Sequence, residues 1–442
     1  MLAACDSDMT PPDVQPPLTL DAQLRQSIGQ WGPIPIGEMP PQNAAEVALG
    51  RALFFDKILS GNKDIACASC HQPQASLTDG LALAVGTRAT GSGTARMPGA
   101  GRSFGARQSP TLLNSGIGMF YLFWDGRVTR FGQEFPGQLP ILPPTNGQPQ
   151  NALINQVMLT LLSRQEMRGI PGDVDAAGHT NELAMIADDQ PQAVWKAVMQ
   201  RLLAVPEYVQ MFNAAYPDKS ASALRIEDAA HAIAIFQMQA FTKTNSPFDR
   251  YLKRDDNALT TEQKRGGVLF FGRAQCGSCH SGPLLGGNNF TNIGVPQIGP
   301  GGAKQSPLDW GRGELIPQNP GFAKFAFRVA PLRNVELTAP YMHNGAYQTL
   351  EAVVEHYNNV QKALREFDAA QLPAAVRPLY HGEQATIDAV WGTVDFRLRQ
   401  PLNLTDAEKA ELVAFLKALT DPAARDLSGI MPSRVPSGLP LN

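Results

Sequence analysis

Two stretches of the chain carry the same hydrophobic pattern. Residues 50–55, GRALFF, and residues 266–271, GGVLFF, each end on a leucine and two phenylalanines. Helical spacing places Val47, Gly50, Leu53 and Phe54 on one face of the first, and Gly266, Leu269 and Phe270 on one face of the second. Thr260 followed by Gln263 has the spacing of a capping box and starts the second helix. Apolar periodicity predicts further helices over 191–203, 226–242, 349–357 and 405–419, the last opened by a second box at Thr405 and Glu408. Alternating strand patterns are few, and the Pro- and Gly-rich segments 136–150 and 294–321 read as long loops. The expectation is a mainly α protein with long ordered loops.

The repeated pattern predicts two related units, and 442 residues are enough for two domains with separate cores. The boundary is placed at NSPFDRYLKRDD, residues 245–256. This gives an N-terminal tail and spacer over 1–40, a first domain over 41–244 and a second over 245–442. A net charge of -3 leaves no basic stripe for phosphates, which argues against nucleic acid as a partner. No run reaches the ~18 apolar residues of a membrane span. Leu2-Ala3-Ala4-Cys5 has the form of a bacterial lipoprotein processing box, although no basic or apolar stretch precedes it, and PPDVQPPLTL after it reads as an extended spacer.

Shortly after each repeated helix comes a second repeated word, CASCH at 67–71 and CGSCH at 276–280. Together they take four of the five cysteines and two of the seven histidines. CxxCH is the attachment sequence of c-type haem, in which two thiols bond the vinyl groups and the adjacent imidazole becomes the proximal iron ligand. A thioredoxin-like CxxC lacks the histidine, and a zinc site needs four ligands converging on one ion. Two covalent c-type haems are expected, one on Cys67, Cys70 and His71, the other on Cys276, Cys279 and His280. The chain then reads as two cytochrome c-like domains, with Cys5 left over.

What lies on the far side of each iron separates an electron carrier from an enzyme, because a peroxide-using haem needs an open face. No histidine occurs between His71 and His179, and Met97 is the only methionine from 72 to 109. Met97 as an exposed loop residue leaves the first haem open; Met97 as a ligand closes it.

At this point the chain resembles a known family. The two CxxCH units, SPTLLN at 109–114, FWDGR at 123–127, NSPFDRYL at 245–252 and LRNVELTAPYMHNGAYQTLEAVVEHYN at 332–358 are similar to the bacterial diheme cytochrome c peroxidase and MauG superfamily. The resemblance runs from about residue 44 to about residue 420. It implies that hydrogen peroxide reacts at the N-terminal haem, that the C-terminal haem stores or relays electrons, and that Trp124 lies between them. Gln156 and Glu166 match the family's distal pair, with Glu166 moving the proton. The alignment crosses an insertion over 132–150, and Thr160 replaces the family's intervening proline.

Tyr357 falls where the peroxidases have a methionine ligand on the second haem and MauG has a tyrosine, with Met342 and His356 as neighbouring competitors. Gln108, Thr338 and Pro340 match a calcium site whose usual asparagine is here a glutamine. Arg333 and His343 match residues near the haem propionates and the interhaem region. Three functions follow: a peroxidase fed by a small periplasmic cytochrome c or cupredoxin, MauG-like oxidation of a partner protein's side chain, and a passive diheme carrier. Covalent haem implies a periplasmic location, with a lipid anchor if Cys5 is processed. A homodimer would be in keeping with the family.

Overall fold

The computed structural model describes residues 17–133, 150–302, 306–316 and 318–441. Cys5 and residues 134–149 of the insertion lie outside them. Helices dominate, and the strands are two-residue pieces in three small antiparallel sheets, among them 121–122 with 128–129, where Tyr121 pairs Thr129. No described helix is long and apolar enough to cross a membrane.

The repeated pattern becomes a repeated helix crossing. In the first half, Ala44–Phe55 is capped by the Asn43 side chain and packs on Ile226–Phe241. In the second, Thr261–Phe271 packs on Asp406–Lys417. Both expected capping boxes form, with Gln263 N donating to Thr260 Oγ1 at 3.3 Å and Glu408 N to Thr405 Oγ1 at 3.3 Å. A glycine sits at each crossing point. A Cβ on Gly50 would lie 1.9 Å from the Ala232 carbonyl oxygen and 2.8 Å from Phe236 Cβ; one on Gly266 would lie 1.9 Å from the Glu411 oxygen and 2.9 Å from Phe415 Cβ. The two crossings are near copies, and tilted phenylalanine pairs pack behind them: Phe54 against Phe236 at 5.6 Å, Phe270 against Phe415 at 5.2 Å.

Gly50→Ala is therefore expected to destabilise the protein by about 1–3 kcal/mol through overpacking. The same change would gain about 1 kcal/mol of helix propensity if the site were exposed. Urea unfolding of the two proteins measures which term wins.

Two large cores result. One gathers Leu49, Phe54, Leu161, Val194, Phe212 and Phe236; the other gathers Phe248, Phe270, Phe271, Tyr347, Leu412 and Phe415. The chain ends cross over between them. Leu20–Gly29, inside the segment read as a spacer, is a helix whose Leu24 and Ile28 join the second core, with Lys264 Nζ 2.8 Å from Asp21 and Trp31 Nε1 donating to the Phe271 carbonyl at 2.7 Å. Ala424, Leu427 and Val435, past the last long helix, join the first core. There Ser437 Oγ donates to buried Asp56 at 2.6 Å and Arg51 Nε to the Ile430 carbonyl at 2.8 Å.

A candidate two-centre redox site

Both CxxCH words form a tight helical turn, Cys67–Cys70 and Cys276–Ser278, that delivers the histidine at its end. His71 Nδ1 lies 3.0 Å from the Leu77 carbonyl and His280 Nδ1 3.0 Å from the Leu285 carbonyl. A carbonyl only accepts, so Nδ1 carries the proton and Nε2 keeps the lone pair a metal needs. Burial pushes His71 down to about 4 and lowers His280 as well, which keeps both rings neutral. The four thiols are not joined in disulfides, and burial pushes Cys67 and Cys276 up to about 12. Cysteines and histidines alike are ringed by protein yet retain accessible surface, as groups on the wall of a cleft do. These residues fit two covalently held haems.

Glu166 stands on the first centre. The helix Gln150–Leu162 runs unbroken because Thr160, where the family has a proline, keeps a backbone N–H and brings no ring against the preceding turn; its hydroxyl also donates back to the Gln156 carbonyl at 2.9 Å. After Ser163 the chain widens into a single π turn, Arg164–Arg168, with Arg168 N donating to the Ser163 carbonyl at 2.8 Å and Gly169 N to Arg164 at 2.9 Å. Such turns recur at functional sites. Thr87 N donates to the Glu166 carbonyl at 2.9 Å, which pins the turn to the loop following CASCH. The Glu166 carboxyl is accessible yet surrounded; burial lifts it above its ordinary range and the Arg127 guanidinium pulls the other way. Burial pushes Cys70 up to about 11 and the Glu166 charge adds to the rise, so the carboxyl lies within electrostatic reach of that motif. Gln156 is half-buried one and a half turns before the end of its helix. Met97 is exposed on a short strand.

Trp124 lies on the seam between the halves. Its indole N–H donates to the Gln108 carbonyl at 2.9 Å, and its own carbonyl accepts from Arg328 N at 2.7 Å. The His343 ring is 6.4 Å from the indole, edge-on, and stacks at 3.5 Å on Phe327. His343 is 3% exposed, burial pushes it down to about 3, and Nε2 has no hydrogen-bond partner among the described residues. Below the indole runs a buried charge chain: Arg107 holds Asp125 at 2.6 Å and Asp309 at 2.6 and 2.8 Å, and Arg127 also holds Asp125 at 2.5 Å.

At the second centre, Tyr357 is on the helix Leu350–Asn358. Burial raises its phenol, and so do Cys279 and Cys276, so the ring is near the CGSCH turn. The neighbouring His356 is not available as a ligand: Nε2 donates to the Ile293 carbonyl at 2.8 Å and Nδ1 accepts from Tyr347 Oη at 2.9 Å. Met342 is half-buried and has φ +72°.

The sequence profile of di-haem cytochrome c peroxidases matches residues 44–257. The methylamine utilization protein MauG of Methylorubrum extorquens is 29% identical over 404 residues, spanning 91% of this chain and 86% of that protein. The cytochrome c551 peroxidase of Pseudomonas aeruginosa is 29% identical over 374 residues, spanning 83% and 89%. Over residues 44–257 the chain matches the di-haem cytochrome c peroxidase family, and over most of its length it is similar to MauG and to the cytochrome c peroxidases. Members of this family are peroxide-dependent haem oxidoreductases. The crystal structure of a MauG-like protein associated with microbial copper homeostasis superposes with a TM-score of 0.60 at 26% identity, covering 91% of this chain and 97% of that one. The diheme peroxidase BthA from Burkholderia thailandensis shares the fold, with a TM-score of 0.55 at 21% identity.

Arg333 meets a geometry different from the family expectation. Arg333 is paired with Asp249, both side chains 1% exposed, and also donates to the Pro283 carbonyl, so its charge is spent inside the fold rather than facing a propionate. Asp249 is in turn held by Ser246, whose hydroxyl donates to it at 2.6 Å. At the expected calcium position Gln108 Nε2 donates to the Pro340 carbonyl and Thr338 Oγ1 donates to Val335 at 3.1 Å. The Gln108 amide and the Pro340 carbonyl, two of the donor groups expected there, thus face one another.

Proposed function

We propose that this di-haem cytochrome c peroxidase homologue reduces hydrogen peroxide at its N-terminal centre and exchanges electrons with the C-terminal centre through Trp124. The observation that carries the reading is the π turn that sets Glu166 within electrostatic reach of Cys70. Cys67, Cys70 and His71 would hold one c-type haem and Cys276, Cys279 and His280 the other; when bound, these supply the metal that peroxide oxidises and a second metal that stores or passes electrons. Glu166 takes the proton from one peroxide oxygen and returns it to the other, so that water leaves rather than hydroxide. Gln156 contributes hydrogen bonds to the same pocket. Trp124, whose N–H faces a neutral carbonyl, keeps that proton while electrons pass.

Electrons come from a small periplasmic cytochrome c or cupredoxin. A second reading, oxidation of a partner protein's side chain, is favoured by Tyr357 next to the CGSCH turn, since an anionic tyrosine ligand stabilises an oxidised metal. Two domains of the cytochrome c type, division near residue 245 and covalent attachment outside the cytoplasm belong to the same proposal.

Absorption and EPR spectra of the diferric protein before and after one equivalent of peroxide test it. The expected result is a high-spin signal that disappears with peroxide and a low-spin signal altered in Tyr357→Phe. Two low-spin haems indifferent to peroxide would overturn the enzyme reading in favour of a carrier.

A further inference from the structure

Residues 88–100 fold into a short outlying hairpin, in which Ala89–Thr90 pairs with Met97–Pro98 and a 3-10 turn, Gly93–Ala95, makes the tip. Arg96 is the one buried residue of that stretch, 7% exposed. Burying a guanidinium is costly, and an ion pair usually offsets the cost. Arg96 makes no ion pair among the described residues. Its fork is spent on neutral groups of two separate segments instead. Nη1 donates to the Ser69 carbonyl at 2.7 Å and faces Cys70 Sγ at 3.8 Å, both within CASCH. Nη2 donates to the Val85 carbonyl and, at 3.4 Å, to that of Gly86.

The second segment is the one that touches Glu166. Gly86 lies against the π turn, where a Cβ would be 2.0 Å from the Gln165 carbonyl oxygen and 2.8 Å from Glu166 Cα. Thr87 N donates to the Glu166 carbonyl at 2.9 Å. The path from the CASCH turn to Glu166 is therefore the Ser69 carbonyl, the planar guanidinium, and two residues of backbone. The Cys70 thiol also faces the Val85 carbonyl, at 3.7 Å. A thioether has no S–H to donate, so attachment of a haem leaves that grip to Arg96.

We infer that Arg96 is a positioning residue that holds the Glu166 turn at a fixed place relative to the CASCH turn. The inference rests on the proposed role of Glu166, and the test below separates the two. Other ties of the π turn run to different segments: Gly61 N donates to the Met167 carbonyl at 2.8 Å, Gln165 Nε2 to the Phe104 carbonyl at 2.8 Å, and Arg164 and Arg168 reach Asp188 at 2.7 and 2.8 Å. Thr87 is held a second time through its hydroxyl, which donates to Asp64 at 2.8 Å, ahead of the motif. Arg96 is the side chain that ties the end of the CASCH turn itself to this assembly.

The test uses the diheme protein with Arg96→Met and Arg96→Lys. Methionine fills the space without donors; lysine keeps the charge but puts one nitrogen where two stand. Both are expected to slow the reaction with peroxide by about 10–100-fold, and by the same factor at every pH, because arginine does not titrate. Hydrogen exchange at the Thr87 amide should quicken by up to about tenfold in both, with the amides of Ile226–Phe241 unchanged. Added to Glu166→Gln, Arg96→Met should slow the reaction by less than about twofold more. Arg96→Lys carries the same test should the methionine variant fail to retain haem. A wild-type rate in Arg96→Lys overturns the inference, because charge and not the bridge would then matter. So does a slowing that varies with pH, an unchanged exchange rate at Thr87, or the full extra slowing on top of Glu166→Gln. A Glu166→Gln protein that reacts at the wild-type rate overturns the proposed function instead, while exchange at Thr87 still reports on the bridge.

Discussion

Glu166→Gln is expected to slow the reaction with hydrogen peroxide by about 10²–10⁴-fold, with both haems retained and their resting spectra unchanged. Glutamine keeps the size and hydrogen bonding of the side chain but cannot accept a proton. Peroxide must then break with its inner oxygen still protonated, or borrow a proton route from water. The π turn makes the substitution a clean one. Its hydrogen bonds run from Arg168 N and Gly169 N to backbone carbonyls, and Glu166 itself is tied in through its backbone, its N–H donating to Ser163 Oγ at 3.3 Å and its carbonyl accepting from Thr87 N, which glutamine also has. Stopped-flow measurement of peroxide loss under single-turnover conditions reads the effect. A decrease of less than about threefold would move the proton transfer to another group.

Arg333→Ala is expected to cost about 3–5 kcal/mol of stability. Its partner Asp249 is as deeply buried, and removing the arginine leaves a carboxylate in the protein interior with only Ser246 to hold it. Asp249→Ala should cost a similar amount for the mirror-image reason and would also uncap the helix Pro247–Leu252. Thermal unfolding of both single variants and the double variant separates the terms: if the pair is what matters, the double variant loses less than the sum of the two. A propionate-binding role would show a different signature, a displaced haem spectrum in Arg333→Ala with little change in melting.

The contrast between these two sites explains what could be read from the chain. Helices such as Pro191–Leu203 and Ile226–Phe241 appear where periodicity placed them, because their apolar stripes and caps are contained in a dozen neighbouring residues. The CxxCH turns are legible for the same reason. Arg333 and Asp249 stand 84 residues apart and Arg107 and Asp309 stand 202 apart, so nothing local marks either pair as a pair. The π turn at Arg164–Arg168 is a single five-residue turn set off from the preceding helix by extended Ser163, too short for periodicity to register. Leu20–Gly29 follows a Pro-rich lead-in and has no partner nearby in the sequence; docking on Thr261–Phe271 gives its apolar face somewhere to go. The family resemblance supplied the identity of Trp124 and Tyr357, which spacing alone would have left as core aromatics.

The exchange of chain ends has a consequence for anyone who would take the molecule apart. A cut in the connection between Phe241 and Pro247 severs one peptide bond and leaves the pieces laced together, because the opening helix stays docked on the later half through Leu24, Ile28 and Trp31. The closing segment likewise stays docked on the earlier half through Ser437 and the carbonyl of Ile430. The two halves that carry the CxxCH words are thus not beads on a string. Each carries a groove already filled by the other's end, and the spacing between the two CxxCH turns is held by three strands of covalent chain rather than one.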